Sequence, residues 1–519
     1  MLRTEMITPI HVLLQRHAKE RPNKLAYRDQ HKSVTYGDLI NKTANLAGHL
    51  IELDINPGDA VAIWLPNSVA WIETCFAITR AGGIAVPISY DATESEAVYR
   101  LRDAQCRALV TTDERETLLS NAKPELENLK TVILVDRGSS LKHGIRYSDL
   151  LNKKSGKLPL DPEIIDSPAF IVYTSGTTGR AKGVVLTLRG MLWVIAACWA
   201  PIAQLSEKDY VLSPLPLFHS YALNLSALGI LATGASEYIL EKYSTADALR
   251  LLKSEPFTFF PGVPTMFHYL LEAIDKEGAT KFPSLRLCVS AGAIMPATLN
   301  REFERKVNVP LLDGYGITET STMVTMNWPS GGRILGSCGL PVPGVMVRIV
   351  DPTNGLDVKI GDEGELIVRG PNVMLGYHEK PAETAAALKN GWYHTGDLAK
   401  SDPNGFLTIT GRLKELIIRG GQNIAPAEIE EVVNANEMVL DSAVIGIPHE
   451  KLGEVPIIFV VPRPGKQFDT DKLLAHCKSK LSAYKIPQAF HIVEQIPRTG
   501  SGKIMRFKLR DALVSGKTA

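Results

Sequence analysis

The stretch AFIVYTSGTTGRAKG, Ala169 to Gly183, runs from four apolar residues of strand length into a loop of three glycines, Ser and Thr hydroxyls and one lysine. Glycines let the backbone turn its N–H groups inward, the hydroxyls add donors, and Lys182 adds a positive charge, a combination suited to phosphate. The spacing is not that of a nucleotide-hydrolysing P-loop. Five positions after Gly176 stands Ala181, and Lys182 is followed by Gly183 rather than a metal-binding hydroxyl. The second GK pair, in GSGKI (Gly500 to Ile504), fails too: Pro497 stands where the first glycine belongs and Ile504 where the hydroxyl belongs.

A strand that feeds a phosphate loop fits an α/β chain, and the surrounding sequence has that texture. AVAIWLP, from Ala60, precedes the helical SVAWIETCFAITRAG; IAVPI is followed by ESEAVYRLRDAQ, then ALVTT and TVILVD. Alternation of this kind predicts parallel sheets covered by helices. From about Gly336 the pattern changes to strands punctuated by Gly and Pro, GSCGLPVPGVMVRIVD, GELIVRG and GFLTITG, which predicts a small antiparallel or barrel-like sheet. After Arg412 it resets to a compact α+β unit of roughly a hundred residues. The expected division is residues 1–411 as a large domain, with two α/β subdomains to about 335 and a β subdomain over 336–411, and 412–519 as a small mobile domain.

With 57 Lys and Arg against 56 Asp and Glu, the 519-residue chain gives no electrostatic reason to expect nucleic acid. Six cysteines without a CxxC pair read as free thiols in a reducing, cytoplasmic setting. The longest apolar run, GMLWVIAACWAPIA (Gly190 to Ala203), is too short to span a bilayer and reads as a buried helix, so contact with a membrane is at most peripheral.

Four further motifs follow in order: DGYGITETS (Asp313 to Ser321), GWYHTGDLA (Gly391 to Ala399), GRLKELIIRGGQNIAPAEIE (Gly411 to Glu430) and PRTGSGKIMR (Pro497 to Arg506). Together with the first loop they resemble the AMP-forming adenylating superfamily: acyl-CoA synthetases, peptide-synthetase adenylation domains and firefly-type luciferases. The resemblance covers nearly the whole chain. The run NGWYHTGDLAKSDPNGFLTITGRLKELI, led in by GPNVMLGYHEKPAETAAAL, is similar to the signature of the fatty acyl-CoA synthetase branch.

That resemblance implies ATP, Mg²⁺ and CoA as reactants and cofactors, and a role for each matching residue. Thr174, Ser175, Gly176, Thr177, Thr178 and Gly179, with Lys182, would cradle the β- and γ-phosphates. Glu319 would hold Mg²⁺ and Thr318 would contact the α-phosphate. Gly292 and Ala293, with Asp313, Gly314, Tyr315 and Gly316, would bind adenine. Asp397 would accept from the ribose hydroxyls, and Arg412 would support the ribose or phosphate. Lys503 would bridge the carboxylate and the α-phosphate, beside His219 in PLPLFHSYALN. Lys414 would be the hinge about which the small domain swings, bringing Gly420 and Gly421 over the phosphopantetheine passage.

Four positions depart from the family pattern: Ala181 replaces a Pro, Leu188 and Gly190 replace a His and an Asn, and Glu415 stands after the hinge lysine where Asp is common. Expected walls of the acyl pocket are the Met191 to Ala203 helix, Tyr221, Val263 and Met323. The expected activity is activation of a hydrophobic carboxylic acid, a fatty acid by the branch signature, and its transfer to CoA. The alternatives are loading of an acyl carrier protein's phosphopantetheine and a non-catalytic nucleotide-binding regulator.

Overall fold

The apolar run before the Gly-rich loop is a strand, Pro168–Thr174, and the chain returns along Lys182–Thr187. The two pair antiparallel with Thr174 opposite Lys182, so the lysine stands directly across from the residue that enters the loop. The structure, a computed structural model, describes residues 2–119, 125–135, 144–174, 181–278, 281–419, 422–499 and 502–514. Ser175, Gly176, Thr177, Thr178, Gly179, Gly420 and Gly421 lie outside the described residues.

This hairpin is one side of an eight-stranded sheet. From Pro168–Thr174 the sheet continues through Ile84–Pro87, Ala60–Trp64, Ala108–Thr111, Thr131–Leu134 and Ile145–Arg146, every neighbouring pair parallel. Ala60–Trp64 is buried along its whole length, as a strand covered by helices on both faces must be. The crossover helices start where local chemistry dictates. Ser68 accepts from the Trp71 amide at the head of Val69–Arg80, and Thr93 and Glu96 form a reciprocal capping box on Glu94–Asp103.

A nine-stranded sheet carries the second half of the large domain. Its six central strands are parallel neighbours in the order Leu25–Arg28, Ser236–Ile239, Tyr210–Ser213, Phe259–Gly262, Leu287–Ser290 and Leu311–Tyr315. The two sheets are not filled one after the other along the chain, as two successive subdomains would be. Leu25–Arg28 and Ser33–Thr35 close an edge of the nine-stranded sheet, and Gly376–Tyr377 closes an edge of the eight-stranded one against Lys182–Thr187. Strand edges left open by βαβ winding are covered by segments distant in sequence.

The Gly- and Pro-punctuated region forms an all-antiparallel five-stranded sheet that includes Gly364–Arg369, Trp392–Ser401 and Leu407–Arg412. The last part of the chain forms a separate five-stranded sheet around the long pair Val439–His449 and Gly453–Pro462, backed by helices Pro426–Asn434 and Thr470–Lys480. It has its own cores: Ile417, Ile429, Val444, Ile458 and Leu473 pack on one face, Ile445, Phe459 and Leu509 on the other.

The long apolar run is a buried helix, with a difference. Leu188–Val194 is α-helical, then Ile195–Trp199 widens to π-helix, and the facing segment does the same at Leu223–Gly229. Asn224 fills the space between them, its amide donating to the Met191 carbonyl at 2.8 Å and its oxygen accepting from the Trp199 indole at 2.7 Å. No helix among the described residues is long and apolar enough to cross a membrane.

Candidate active site

The ends of three different elements meet at one face. Strand Leu311–Tyr315 brings Asp313 and Tyr315 to its C-terminal end, where ligands of open α/β sheets gather. Asp313 is buried and its Oδ1 has no hydrogen-bond partner, and burial pushes its carboxyl well above the usual carboxylate range. An acceptor left open in this way fits an incoming amino group, as an adenine edge provides. The Tyr315 hydroxyl donates to Asp397 Oδ2 at 2.6 Å, and Arg412 Nε meets Asp397 Oδ1 at 2.7 Å. Asp397 and Arg412 stand opposite each other on antiparallel strands, which fixes that ion pair by register. Each Asp397 oxygen keeps a further lone pair for a ribose hydroxyl.

Immediately after Tyr315 the chain makes a tight turn. A Cβ on Gly316 would fall 1.3 Å from the Thr322 carbonyl oxygen, and one on Gly314 would fall 2.4 Å from the Met323 methyl. These two glycines are therefore required by the chain's own packing, whatever base lies beside them. The turn is strained: Ser321 has φ +52° and the β-branched Thr322 has φ +106°. Thr322 is held by its hydroxyl on the Ser220 carbonyl at 2.8 Å, and Thr318 lies 3.1 Å from the Ser220 hydroxyl. Strain of this kind persists only where surrounding bonds over-determine it, and here it presents Thr318 and Glu319 together.

His219, next to Ser220, accepts from the Tyr221 amide at its Nδ1, 3.2 Å away. Desolvation, and then the charge of Lys503, pull its pKa down to about 3. The ring is thus neutral at ordinary pH with its proton on Nε2, a donor that brings no second charge to the site. Lys503 comes from the opposite side, on the small domain. Desolvation and then Arg412 lower its pKa, while Asp397, Glu319 and Glu415 act the other way. A Cβ on the neighbouring Gly502 would lie 3.2 Å from Val263 of the large domain. The lysine loop is seated in the large domain's site.

Glu319 lies in the same turn, its Oε1 accepting from the Tyr377 hydroxyl at 3.1 Å. Among the described residues no group of three His, Cys, Asp or Glu side chains could hold a metal. The chemistry of a lone carboxylate suits Mg²⁺, which takes one or two carboxylates and fills the rest of its shell with phosphate and water.

The family model for AMP-binding enzymes matches residues 14–378, and that for the AMP-binding enzyme C-terminal domain matches 428–503. The chain belongs to the AMP-binding enzyme family. Among its relatives is a long-chain-fatty-acid–CoA ligase of Yersinia pestis, 34% identical over 94% of this chain and 92% of that protein. A naringenin synthase of Pestalotiopsis fici is 36% identical over 96% of this chain, which spans only 19% of that protein. The crystal structure of the anthranilate CoA ligase AuaEII with anthranoyl-AMP superposes with a TM-score of 0.92 at 26% identity, covering 98% of both chains.

Within this family architecture the remaining sequence expectations fall as follows. Gly292, at φ +88°, follows strand Leu287–Ser290, with Ala293 beside it. Gly292 lines an apolar cavity with His219, Tyr221, Val263 and Met266. Trp199, from the π-helical segment, stacks on Tyr221 with ring centres 5.9 Å apart and so backs that cavity. Met323 is fully buried against Gly314. Lys414 is exposed in a short turn, Leu413–Glu415, that joins the antiparallel sheet to the first strand of the small domain. Two features carry no expectation from sequence. One is Asn224, whose role depends on both helices widening together. The other is the segment from Asn372 to His378; its sequence resembles the family's, but its contacts lie far away along the chain.

Proposed function

We propose that this chain is an AMP-forming acid–thiol ligase. It joins a hydrophobic carboxylic acid to the α-phosphate of ATP, releases pyrophosphate, and passes the acyl group from acyl-AMP to CoA. The observation that carries this reading is the approach of the lysine loop to the large domain, where a Cβ on Gly502 would lie 3.2 Å from Val263 and Lys503 is partly buried within electrostatic reach of His219, Arg412, Asp397 and Glu319.

A carboxylate attacking a phosphate requires two anions to approach, so the barrier is dominated by charge. In the proposed reaction Asp397, Arg412 and Tyr315 hold the ribose, and Asp313 meets the base. Thr318 contacts the α-phosphate while the loop from Thr174 to Lys182 receives the outer phosphates. Lys503 lies between the acid's carboxylate and the α-phosphate, offsetting both charges, and the neutral His219 Nε2–H donates to the acid. Glu319 would hold Mg²⁺, which would supply positive charge against the phosphates. After adenylation the unit beyond residue 411 turns about Lys414, withdrawing Lys503 and opening a path for the CoA thiol to displace AMP.

The side chains around His219, among them Leu215, Tyr221, Val263 and Met266, are mostly apolar and favour a hydrophobic acid, although the space they enclose here is only water-sized. The named relatives act on both aliphatic and aromatic acids, and a fatty acid is the first member of the class to test. Six buried free cysteines accord with a cytoplasmic enzyme. The test is pyrophosphate release with ATP and Mg²⁺ across a panel of aliphatic and aromatic acids, with and without CoA. Acid-dependent release that yields acyl-CoA is the expected result. Release that stops at acyl-AMP with CoA but proceeds with a phosphopantetheinyl carrier protein would contradict the choice of acceptor, and no acid-dependent release would contradict the activity.

A further inference from the structure

The segment Asn372 to His378 ties together the two groups assigned to phosphate and metal, although Lys182 starts a strand of the eight-stranded sheet and Glu319 lies in the short helical turn Thr318–Thr320 after a strand of the nine-stranded one. On one side, Asn372 Nδ2 donates to the Thr320 and Met323 carbonyls at 3.1 and 3.0 Å, and the Met374 amide donates to the Glu319 carbonyl at 2.8 Å. On the other, the Leu375 amide bonds the Val185 carbonyl at 3.0 Å and the His378 amide bonds the Gly183 carbonyl at 2.7 Å. Tyr377 sits within that bridge, paired in register with Val184. Its hydroxyl donates to Glu319 Oε1 at 3.1 Å, and the Lys182 ammonium lies 4.9 Å from the centre of its ring.

We infer that Tyr377 is a positioning residue for the metal–nucleotide complex, its hydroxyl orienting the Glu319 carboxylate for the divalent ion and its ring face holding Lys182 for the outer phosphates. One side chain thus sets the distance between the cation that meets the phosphates and the anion that meets their metal. The hydroxyl is kept as a donor, because burial and the neighbouring carboxylate push its ionisation far above neutrality. Occupying one Glu319 oxygen leaves the other for the ion, which suits the single-carboxylate ligation of Mg²⁺. The ring offers Lys182 a cation–π contact that costs no counter-charge, so the ammonium is held in place yet remains fully available to phosphate. A carboxylate partner in the same position would compete with the nucleotide.

Placing Tyr377 in this role depends on the nucleotide reading of Lys182 and Glu319. The test therefore measures binding by calorimetry, on the full chain, with Mg·ATP, ATP in EDTA, and AMP. Tyr377→Phe keeps the ring and removes the donor; Tyr377→Leu removes both. The expected result for Tyr377→Phe is Mg·ATP binding weaker by about 10-fold, the range of a hydrogen bond to a charged group, with metal-free ATP unchanged. Tyr377→Leu should weaken metal-free ATP as well, and AMP, which lacks the outer phosphates, should bind both variants as it binds the wild type. In turnover the loss appears in KM for Mg·ATP more than in kcat. Wild-type affinity for Mg·ATP in Tyr377→Phe would overturn the role, as would AMP binding that falls in step with Mg·ATP, which marks a general loss of structure. Absence of ATP binding by the wild type would overturn the nucleotide reading itself, and the role with it.

Discussion

Asp397 and Lys503 face the same ground but are held in opposite ways. Asp397 is buried on a ten-residue strand, paired by register with Arg412 and hydrogen-bonded to Tyr315 from a second sheet. Lys503 sits in a loop closed by one isolated bridge, Arg498 to Ile504, and by a turn in which the Thr499 and Gly502 amides bond the Lys503 and Thr499 carbonyls. That loop is anchored through Arg498, which makes a two-pronged pair with Asp441 on the small domain's own sheet. Among the described residues, Arg463 of the small domain pairs with Glu272 of the large one at 3.4 Å, both partly exposed. Under the proposed reaction this contrast becomes a division of labour: the nucleotide is held by strands paired in register, and the cation for adenylation is supplied by a loop of the small domain.

That contrast can be broken at several points. Asp397→Asn removes the charge that Arg412 needs while keeping the shape. Breaking a largely buried pair in this way is expected to weaken AMP binding by about 100-fold. Calorimetry with AMP checks it, and a change under about 3-fold would show that the rigid half does not carry nucleotide affinity. Arg498→Ala should leave AMP binding at the wild-type value and slow acid-dependent ATP–pyrophosphate exchange by about 5-fold, a loss of roughly 1 kcal/mol in holding the lysine loop. Loss of AMP affinity in that variant would erase the distinction between the halves.

A last expected effect is on stability rather than activity and concerns His219. Because its folded pKa is near 3 and its unfolded pKa near 6.5, the unfolded chain takes up the proton first as pH falls. Its contribution to stability is therefore intact above about pH 6.5 and is lost progressively as pH drops toward 3. Denaturant titrations of His219→Gln should lose less stability than wild type between pH 7 and 4, and should parallel it above pH 7. A His219-dependent limb in the activity profile near pH 6.5 would contradict the neutral ring.

Much of this site is legible from residue type and spacing, because backbone-driven chemistry leaves a local trace. The strand before the Gly-rich loop appears where its apolar run puts it, and the antiparallel strands from Met346 follow the Gly/Pro punctuation, but Leu340–Pro341, at the start of that region, joins the nine-stranded sheet instead. Asp397 and Arg412 are likewise legible, and their motifs bring them to facing positions on paired strands. What is not legible comes from long-range pairing. Nothing local says that Leu25–Arg28 joins the sheet of Asp313, or that Tyr377 joins the strand after the phosphate loop; those pairings follow from which edges are left open once the helices have packed. Gly314 and Gly316 illustrate the other limit, since a glycine expected beside a base can be required instead by the protein's own backbone.

The central claim is that binding and charge delivery are separable, and one measurement tests it directly. In Lys503→Ala, acid-dependent ATP–pyrophosphate exchange and thioester formation from supplied acyl-AMP are assayed side by side. The account predicts that exchange falls by about 10³-fold, the scale of losing a group that offsets transition-state charge, while thioester formation stays within about 10-fold of wild type. Equal loss in both half-reactions, or no loss in exchange, would contradict it.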